Sequence, residues 1–306
     1  MLDFITWNAS PEIFSWGSFS VRWYGLAFAV GFIIGYQLVS RMFRHEGAPE
    51  KWLGILLAYV VVATIIGARL GHVFFYEWDY YSQHLSEIPK VWNGGLASHG
   101  GTIAIIIAVF IFSWLVTKKP ASWTFDKLVI AIALVGGLIR LGNLMNSEIY
   151  GGETDMPWGF VFERNGETVA KHPTQIYEAT CYFLLFALLM WMYWKKNAQE
   201  RPYLILGVFF LGIFVPRFFI EYIKNVQVDW ENEMIATYGI NQGQLLSIPF
   251  ILLGCALVIW AMSRPRQHFS FPNKFAEEIE AEKRHRYIRK EERLKTEGSK
   301  KRRDNI

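Results

Sequence analysis

Charged residues are scarce in this 306-residue chain: Asp, Glu, Lys and Arg make up 19% of it, whereas 52% is hydrophobic and 17% aromatic. A water-soluble domain of this length needs more polar surface than these residues supply. The low polar content also excludes an intrinsically disordered chain. Only two cysteines are present, Cys181 and Cys255, and both lie in apolar runs, so a disulfide scaffold is excluded too. The class that remains is an integral membrane protein.

Seven apolar runs, each near the roughly 20 residues that span a bilayer, predict an all-α bundle of seven transmembrane helices. The runs contain few charged residues or none. Their expected bounds are near residues 23–40, 52–76, 95–117, 128–147, 175–194, 202–222 and 244–262. We therefore expect residues 1–262 to form a seven-span membrane domain and residues 263–306 to form a charged cytoplasmic tail.

Basic residues alternate between the predicted loops. The loops after spans one, three and five are rich in Lys and Arg, with Lys127 counted beside the third, whereas the other loops are acidic. Because short cytoplasmic loops retain Lys and Arg, the N-terminus is expected outside and the C-terminus in the cytoplasm. From Arg264 onward, 14 Lys and Arg face 8 Asp and Glu, so the net charge of +4 is a property of the tail. It indicates weak attraction to anionic membrane lipid and gives no sign of nucleic-acid binding.

Ionisable side chains inside the predicted spans are the first candidates for a functional site, because an unpaired charge is unfavourable in a bilayer. With the predicted orientation, the arginines of spans two, four and six lie toward the outer face. Other polar side chains collect in the same layer. These residues are Tyr24, Arg69, His99, Arg140, His172, Gln175, Glu178 and Arg217.

Span four carries a regular polar pattern at its end. Arg140 and Asn143 share a helix face, Asn146 lies at the edge of that face, and Glu148 follows. A cation with neighbouring amides suits an anion or a lipid headgroup. The alternative is structural: an Arg–Glu ion pair with Asn-mediated hydrogen bonds between helices.

Three further patterns each have a functional and a structural interpretation. Arg217 and Glu221 are spaced as an ion pair on one helix face, and mutual neutralisation alone would explain them. His99 lies between two glycine pairs, where a helix, a substrate or a lipid comes close, and it is either a proton acceptor or a packing residue. Arg69 is expected to give structural support. In the run from His172 to Gln175, either Thr174 caps the fifth span or the run belongs to the site.

The stretch from Arg140 to Gly151 resembles the signature of the prolipoprotein diacylglyceryl transferase family. That signature reads Gly-Arg, any residue, Gly or Ala, Asn-Phe, an apolar residue, Asn, any residue, Glu, two of any kind, Gly. This chain differs at Ile139, where the family usually has Gly, and at Leu144, where it has Phe. The family also often has a Tyr one turn before the Arg of span six, where this chain has Ile213. Further matches are Tyr24-Gly25, Gly67 to Arg69, His99 to Gly101, His172 to Gln175, Arg217-Phe218 with Glu221, and Gly243-Gln244.

The resemblance implies transfer of the diacylglyceryl group of phosphatidylglycerol to the lipobox cysteine thiol of a prolipoprotein. A thioether would form and glycerol 1-phosphate would be released, as the first step of lipoprotein maturation, on the outer side of a bacterial inner membrane. The expected partners are phosphatidylglycerol, prolipoprotein signal peptides with a lipobox cysteine, and membrane lipids. No motif indicates a metal or a soluble cofactor.

Site roles also follow from the resemblance. Arg140 and Arg217 are expected to bind the headgroup phosphate, His99 to activate the thiol, and Tyr24 to hydrogen-bond the lipid. Orientation of the substrate is expected from Asn143, Asn146, Glu148, Gly151 and Glu221, and support from Arg69, His172, Gln175 and Gln244. The alternative from another class is a transporter or flippase that holds an anionic lipid at the same arginines and releases it unchanged.

Overall fold

The structure, a computed structural model, describes residues 4–17, 19–224, 229–269 and 284–289. Seven of the helices in these ranges are long and apolar enough to cross a membrane. This confirms the predicted helical membrane fold with seven spans. In chain order the helices are α1 (Trp23–His45), α2 (Glu50–Phe75), the short α3 (Trp78–Tyr81), α4 (Ser98–Phe112, continued by a π-helical turn over Ser113–Thr117), α5 (Ala121–Met145), α6 (Thr174–Lys196), α7 (Leu204–Ile220), the short α8 (Asp229–Tyr238) and α9 (Gln242–Ser263).

The predicted start of the fourth span was wrong. α5 begins at Ala121, so Lys127 belongs to the helix and not to the preceding connection. Its side chain is buried, and its Nζ lies 3.0 Å from Oε2 of Glu46 and donates to the carbonyl oxygen of Trp123. A charged residue normally marks the end of an apolar run in a sequence. Here the carboxylate of Glu46, directly after α1, neutralises the charge of Lys127 inside the helix.

Two short sheets lie beside the bundle, in addition to the expected helices. β1 (Ile5–Trp7) pairs in parallel with β4 (Phe160–Phe162), which lies between α5 and α6. β2 (Glu12–Trp16) and β3 (Phe19–Arg22) form an antiparallel hairpin that leads into α1. The indole N–H of Trp7 also donates to the carbonyl oxygen of Leu144 near the end of α5. The segment before α1 and the α5–α6 connection therefore lie on one side of the bundle, as four crossings between them require.

Glycines allow α2 and α4 to pack closely. A Cβ atom added to Gly100 would collide with the carbonyl oxygen of Gly67, and one added to Gly71 would lie 2.7 Å from Cα of Gly100. The glycines after His99 predicted close approach of a helix, a substrate or a lipid, and the structure shows a helix there. Small residues at such a contact let two backbones approach in a membrane.

α5 is the central helix of the site-bearing part of the bundle, because it packs against α1, α6 and α7, and α7 packs against α9. Near its start, Asp126 accepts hydrogen bonds from the backbone N–H groups of Tyr203 and Leu206 at the beginning of α7. These N–H groups have no partner within α7, so the carboxylate caps that helix and fixes it to α5. The opposite ends of α5, α6 and α7 also meet, and the candidate site forms there.

The expected tail, 263–306, lies mostly outside the described residues. Its first residues return to the α6–α7 connection, where Arg266 contacts Glu200 with Nη1 and Oε2 3.3 Å apart. Residues 284–289 are helical. The division into a catalytic domain and a cytoplasmic tail stays a prediction.

Candidate active site

Five charged side chains form a continuous series of ion pairs, which we call the ion chain: Arg140, Glu178, Lys224, Glu221 and Arg217. Nε of Arg140 lies 2.9 Å from Oε2 of Glu178. Nζ of Lys224 lies 2.9 Å from Oε1 of Glu178 and 2.9 Å from Oε1 of Glu221. Nε of Arg217 lies 3.5 Å from the same oxygen of Glu221. The two arginines are thus the ends of one alternating chain of charges.

Helix ends place these five groups. Arg140 lies near the end of α5, Glu178 near the start of α6, and Arg217 near the end of α7. Glu221 begins the 3₁₀ turn that follows α7, and Lys224 comes directly after that turn. Because α5 and α7 run in the same direction and α6 runs back between them, all five side chains reach one end of the bundle.

The middle of the ion chain is buried and its ends are more open. The side chain of Glu178 is 1% exposed and that of Lys224 is 6% exposed, whereas that of Arg217 is 34% exposed. Buried charges are tolerated when partners neutralise them. Three cations and two carboxylates leave one net positive charge, so the chain as a whole favours a singly charged anion at its accessible ends.

A second polar group, formed by Asn143, Asn146 and Glu148, lies one turn further along α5. Nδ2 of Asn143 donates to Oε1 of Glu148 at 2.7 Å, and Nδ2 of Asn146 donates to the same oxygen at 3.1 Å. The carboxylate only accepts hydrogen bonds, so both amide groups must turn their nitrogens toward it. Their Oδ1 atoms are buried and have no hydrogen-bond partner among the described residues. Two buried acceptor atoms are thus unpaired in the group that the sequence pattern associated with an anion or a lipid headgroup.

Tyr24 and Gly142 bring the start of α1 against this part of α5. A Cβ atom added to Gly142 would lie 3.0 Å from Cδ2 and 3.1 Å from Cα of Tyr24. The missing side chain lets the tyrosine approach the backbone between Arg140 and Asn143. Tyr24 is half-buried and therefore lines the same region as the second polar group.

Gly243 and Gln244 support Glu221 from the start of α9. A Cβ atom on Gly243 would lie 2.5 Å from Cδ of Glu221, so only glycine leaves room for the carboxylate in its present position. Asn241 and Gln244 form a reciprocal capping box at the start of α9. Their side-chain amides also donate to the carbonyl oxygens of Glu221 and Phe218 at the end of α7. The cap thereby fixes the helix end that carries Arg217.

Gly151 and His172 hold Lys224 through the backbone. Gly151 forms an antiparallel bridge with Lys224, and its N–H donates to the carbonyl oxygen of His172 at 2.8 Å. The imidazole of His172 contacts the hydroxyl of Tyr177, which also accepts a hydrogen bond from the indole of Trp158. Burial lowers the pKa of His172 below its usual 6.5. His172 thus belongs to the connection that frames the site.

The predicted capping role of Thr174 was wrong. Pro173 occupies the N-cap position of α6, and Thr174 is the first residue of the helix. The hydroxyl of Thr174 donates to the carbonyl oxygen of Ile149, and Nε2 of Gln175 donates to that of Glu148. Both side chains hold the α5–α6 connection because they satisfy carbonyl groups that no helix or strand pairs.

His99 and Arg69 lie on the α2–α4 side of the bundle. His99 is exposed in the first turn of α4, and none of the described residues forms a hydrogen bond or an ion pair with its imidazole. Arg69 is buried and donates to the carbonyl oxygens of Glu87, Ile88, Gly94 and Gly95. Arg69 therefore secures the connection between α2 and α4, and the structure does not join His99 to the ion chain directly.

The sequence pattern missed Lys224 as a site residue and counted Glu178 only among the polar groups of its span. Two signals were available. Glu178 is the sole charged residue within residues 175–194, and Lys224 follows Glu221 by three residues and Arg217 by seven. Both spacings fit one face of a continuing helix. Neither signal shows that Lys224 would bridge two carboxylates from different helices.

Comparison with known proteins identifies the family of this chain. The sequence profile of the family described as prolipoprotein diacylglyceryl transferase matches residues 11–260. This chain belongs to that family. It is 50% identical over 272 residues to the phosphatidylglycerol–prolipoprotein diacylglyceryl transferase of Porphyromonas gingivalis, which covers 86% of this chain and 96% of the relative. The enzymes of the same name from Chloroherpeton thalassium and Tolumonas auensis are 42% and 44% identical, covering 86% and 83% of this chain and 96% of each relative.

Membership in the family makes the chain a transferase of lipoprotein biosynthesis. The match includes every residue of the ion chain and the second polar group. The site on the ends of α5, α6 and α7 is therefore part of the region that the chain shares with the family.

Proposed function

We propose that this protein transfers the diacylglyceryl group of phosphatidylglycerol to the lipobox cysteine thiol of a prolipoprotein, the first step of lipoprotein maturation. The observation that carries the proposal is the ion chain, which presents two arginines and one excess positive charge at one end of a membrane bundle. Phosphatidylglycerol is a phosphodiester with one negative charge, so its phosphate matches the charge of the chain.

The proposed reaction takes place at one carbon of phosphatidylglycerol, the carbon of the diacylglyceryl unit that is bonded to the phosphate oxygen. The cysteine thiolate attacks this carbon and forms a carbon–sulfur bond, while the carbon–oxygen bond to the phosphate breaks. Its electron pair leaves with the phosphate as glycerol 1-phosphate. The phosphate thus changes from a singly charged diester toward a doubly charged monoester, and groups that bind the second charge lower the barrier.

Arg140 and Arg217 are assigned to the phosphate. A guanidinium group presents a planar fork of N–H donors that matches two phosphate oxygens at once. The two arginines lie on different helices, at the two ends of the ion chain. Glu178 and Glu221 orient the guanidinium groups through the Nε contacts.

The second polar group and Tyr24 are assigned to the remaining lipid headgroup. The buried Oδ1 atoms of Asn143 and Asn146 have no hydrogen-bond partner among the described residues, and the glycerol headgroup carries hydroxyl donors that would pair with them. Asn143 lies one helical turn beyond Arg140, about 5 Å along the axis, which matches the short distance between a phosphate and the hydroxyls of its glycerol.

His99 is assigned to the thiol. A free thiol with a pKa of about 8.5 is mostly protonated at neutral pH, so a base in contact with it raises the thiolate fraction. His99 is exposed and makes no polar contact within the described residues, which leaves its ring available to a substrate. The peptide would then lie between α4 and the ion chain.

We place the site toward the outer face of the bacterial inner membrane. The alternating basic loops support this orientation. Prolipoprotein signal peptides and phosphatidylglycerol reach the site from the membrane under this arrangement, and surrounding lipids cover the apolar faces of the spans.

The proposal is tested with the purified full chain, phosphatidylglycerol and a lipobox peptide. The expected products are a peptide whose mass rises by one diacylglyceryl group and an equal amount of glycerol 1-phosphate. A peptide with serine in place of the lipobox cysteine is the matched control and should remain unmodified. Movement of phosphatidylglycerol across a bilayer without either product would instead support the transporter alternative.

A further inference from the structure

Lys224 is fixed from several sides although it lies in a short connection after α7. Its Nζ lies 2.9 Å from Oε1 of Glu178 and 2.9 Å from Oε1 of Glu221, and its side chain is almost fully buried. Its backbone is bridged to Gly151. These contacts hold the ammonium group of Lys224 between the two carboxylates.

The charge of Lys224 reduces the extent to which the two glutamates neutralise Arg140 and Arg217. Without it, Arg140 with Glu178 and Arg217 with Glu221 would be two neutral ion pairs. With it, each carboxylate is shared between the lysine and an arginine, so neither arginine is fully neutralised. The net charge of the ion chain is then +1 instead of zero.

We propose that Lys224 is a positioning residue that keeps the ion chain one positive charge in excess and thereby lets Arg140 and Arg217 bind the phosphodiester of an anionic lipid. Lys224 acts through the two glutamates and does not itself contact the lipid. This inference rests on the proposed function, because it assigns the arginines to the headgroup phosphate. The excess positive charge of the ion chain favours an anionic phosphate at the two arginines.

The test compares three variants of the full-length protein. Lys224→Gln removes the charge, Lys224→Arg keeps it, and the double variant Glu178→Gln with Lys224→Gln restores the net charge of +1 while removing a second contact. Binding is measured with phosphatidylglycerol in nanodiscs of zwitterionic lipid, and KM and kcat are measured with a lipobox peptide. Lys171→Gln is the matched control, because Lys171 also contacts two carboxylates, those of Glu153 and Glu167, each at 3.3 Å.

Lys224→Gln is expected to weaken binding of phosphatidylglycerol and raise its KM by about tenfold or more, the size of one charge-assisted contact. The Lys224→Arg and Lys171→Gln variants should bind like the wild type. The double variant should bind more tightly than Lys224→Gln alone. If Lys224 served only to hold the fold, the double variant would bind more weakly than the single variant, because it has lost more contacts.

Melting temperatures of all variants show whether weaker lipid binding comes from a folding defect. If Lys224→Gln does not fold, the wild type is compared with Lys224→Arg and with the double variant. A double variant that folds but fails to bind phosphatidylglycerol overturns the inference. Equal binding by wild type and Lys224→Gln overturns it too. Absence of thioether formation by the wild type would refute the proposed function alone, since the lipid-binding measurements require no turnover.

Discussion

Arg140 on α5 and Glu178 on α6 are joined by an ion pair, with Nε of the arginine 2.9 Å from Oε2 of the glutamate. The glutamate is almost fully buried, and the arginine is more exposed. A buried carboxylate with two cationic neighbours is held rigidly, so it fixes the orientation of the guanidinium group before any substrate arrives. The phosphate site is therefore organised by the protein in advance.

Arg140→Lys should be strongly impaired. An ammonium group keeps the charge but cannot reproduce the planar fork of donors, and it cannot contact Glu178 and a phosphate in the same geometry. We expect kcat/KM to fall about 100-fold, a loss typical of removing one donor that stabilises transition-state charge. Arg201→Lys is the control, because within the described part of the chain the Arg201 side chain donates only to backbone carbonyl groups near the end of α9. Near wild-type turnover of Arg140→Lys would show that Arg140 serves only as a counter-charge.

The predicted orientation can be tested by labelling single cysteines in intact cells, in a background that lacks Cys181 and Cys255. Arg164→Cys lies in the exposed α5–α6 connection, and Lys195→Cys lies at the opposite end of α6. A membrane-impermeant reagent should label the first variant directly and the second only after permeabilisation. The reverse pattern would place the ion chain on the cytoplasmic side.

Gly100→Ala should destabilise the protein far more than Gly101→Ala. The added Cβ at Gly100 would collide with the backbone of α2, whereas at Gly101 the nearest atom would lie 3.6 Å away. Overpacking of this kind lowers the free energy of unfolding by about 1–3 kcal/mol. Melting temperatures of the two detergent-solubilised variants check this, and equal values would contradict the close α2–α4 packing.

His172 should make the protein less stable in mild acid. Its pKa in the folded protein is lowered by burial, so below pH 6.5 the unfolded chain binds a proton that the folded chain resists. The free energy of unfolding therefore falls as pH falls through this range. His172→Gln should flatten the dependence of melting temperature on pH between about 7.5 and 5.5, whereas Tyr177→Phe, which keeps the imidazole, should retain it. Parallel curves for wild type and His172→Gln would contradict this role.

The sequence alone predicted features that depend on neighbours along the chain. Apolar runs predicted the seven spans, and a spacing of four predicted the pair between Arg217 and Glu221, since both residues belong to one helical segment. Contacts between helices were beyond such patterns. Lys224 joins carboxylates from α6 and from the end of α7, and this depends on how the helices pack.

The errors have the same origin. Lys127 was assigned to a connection because its partner Glu46 is far away in sequence. Thr174 was assigned to a cap because threonine commonly occupies that position, but a carbonyl group of the preceding connection takes its hydroxyl. In both cases a tertiary contact took precedence over a local preference.

His99→Gln should lose most activity near neutral pH and regain part of it as pH rises toward the pKa of the substrate thiol, about 8.5. Loss of a base that generates thiolate matters less at a pH at which the medium itself deprotonates the thiol. The imidazole of His99 is exposed and has no polar partner among the described residues, so a substrate thiol can contact it. The measurement is the rate of thioether formation against pH for wild type and variant.

A packing role for His99 predicts a different result. The deficit of His99→Gln would then not depend on pH, and the melting temperature would fall, because the loss would come from contacts between α4 and its neighbours. Other groups also titrate as pH rises, so the recovery must be traced to the thiol. A second lipobox peptide, whose thiol pKa is shifted by neighbouring charges, should move the midpoint of recovery by the same amount. A midpoint that stays in place with both peptides would remove His99 from the catalytic set.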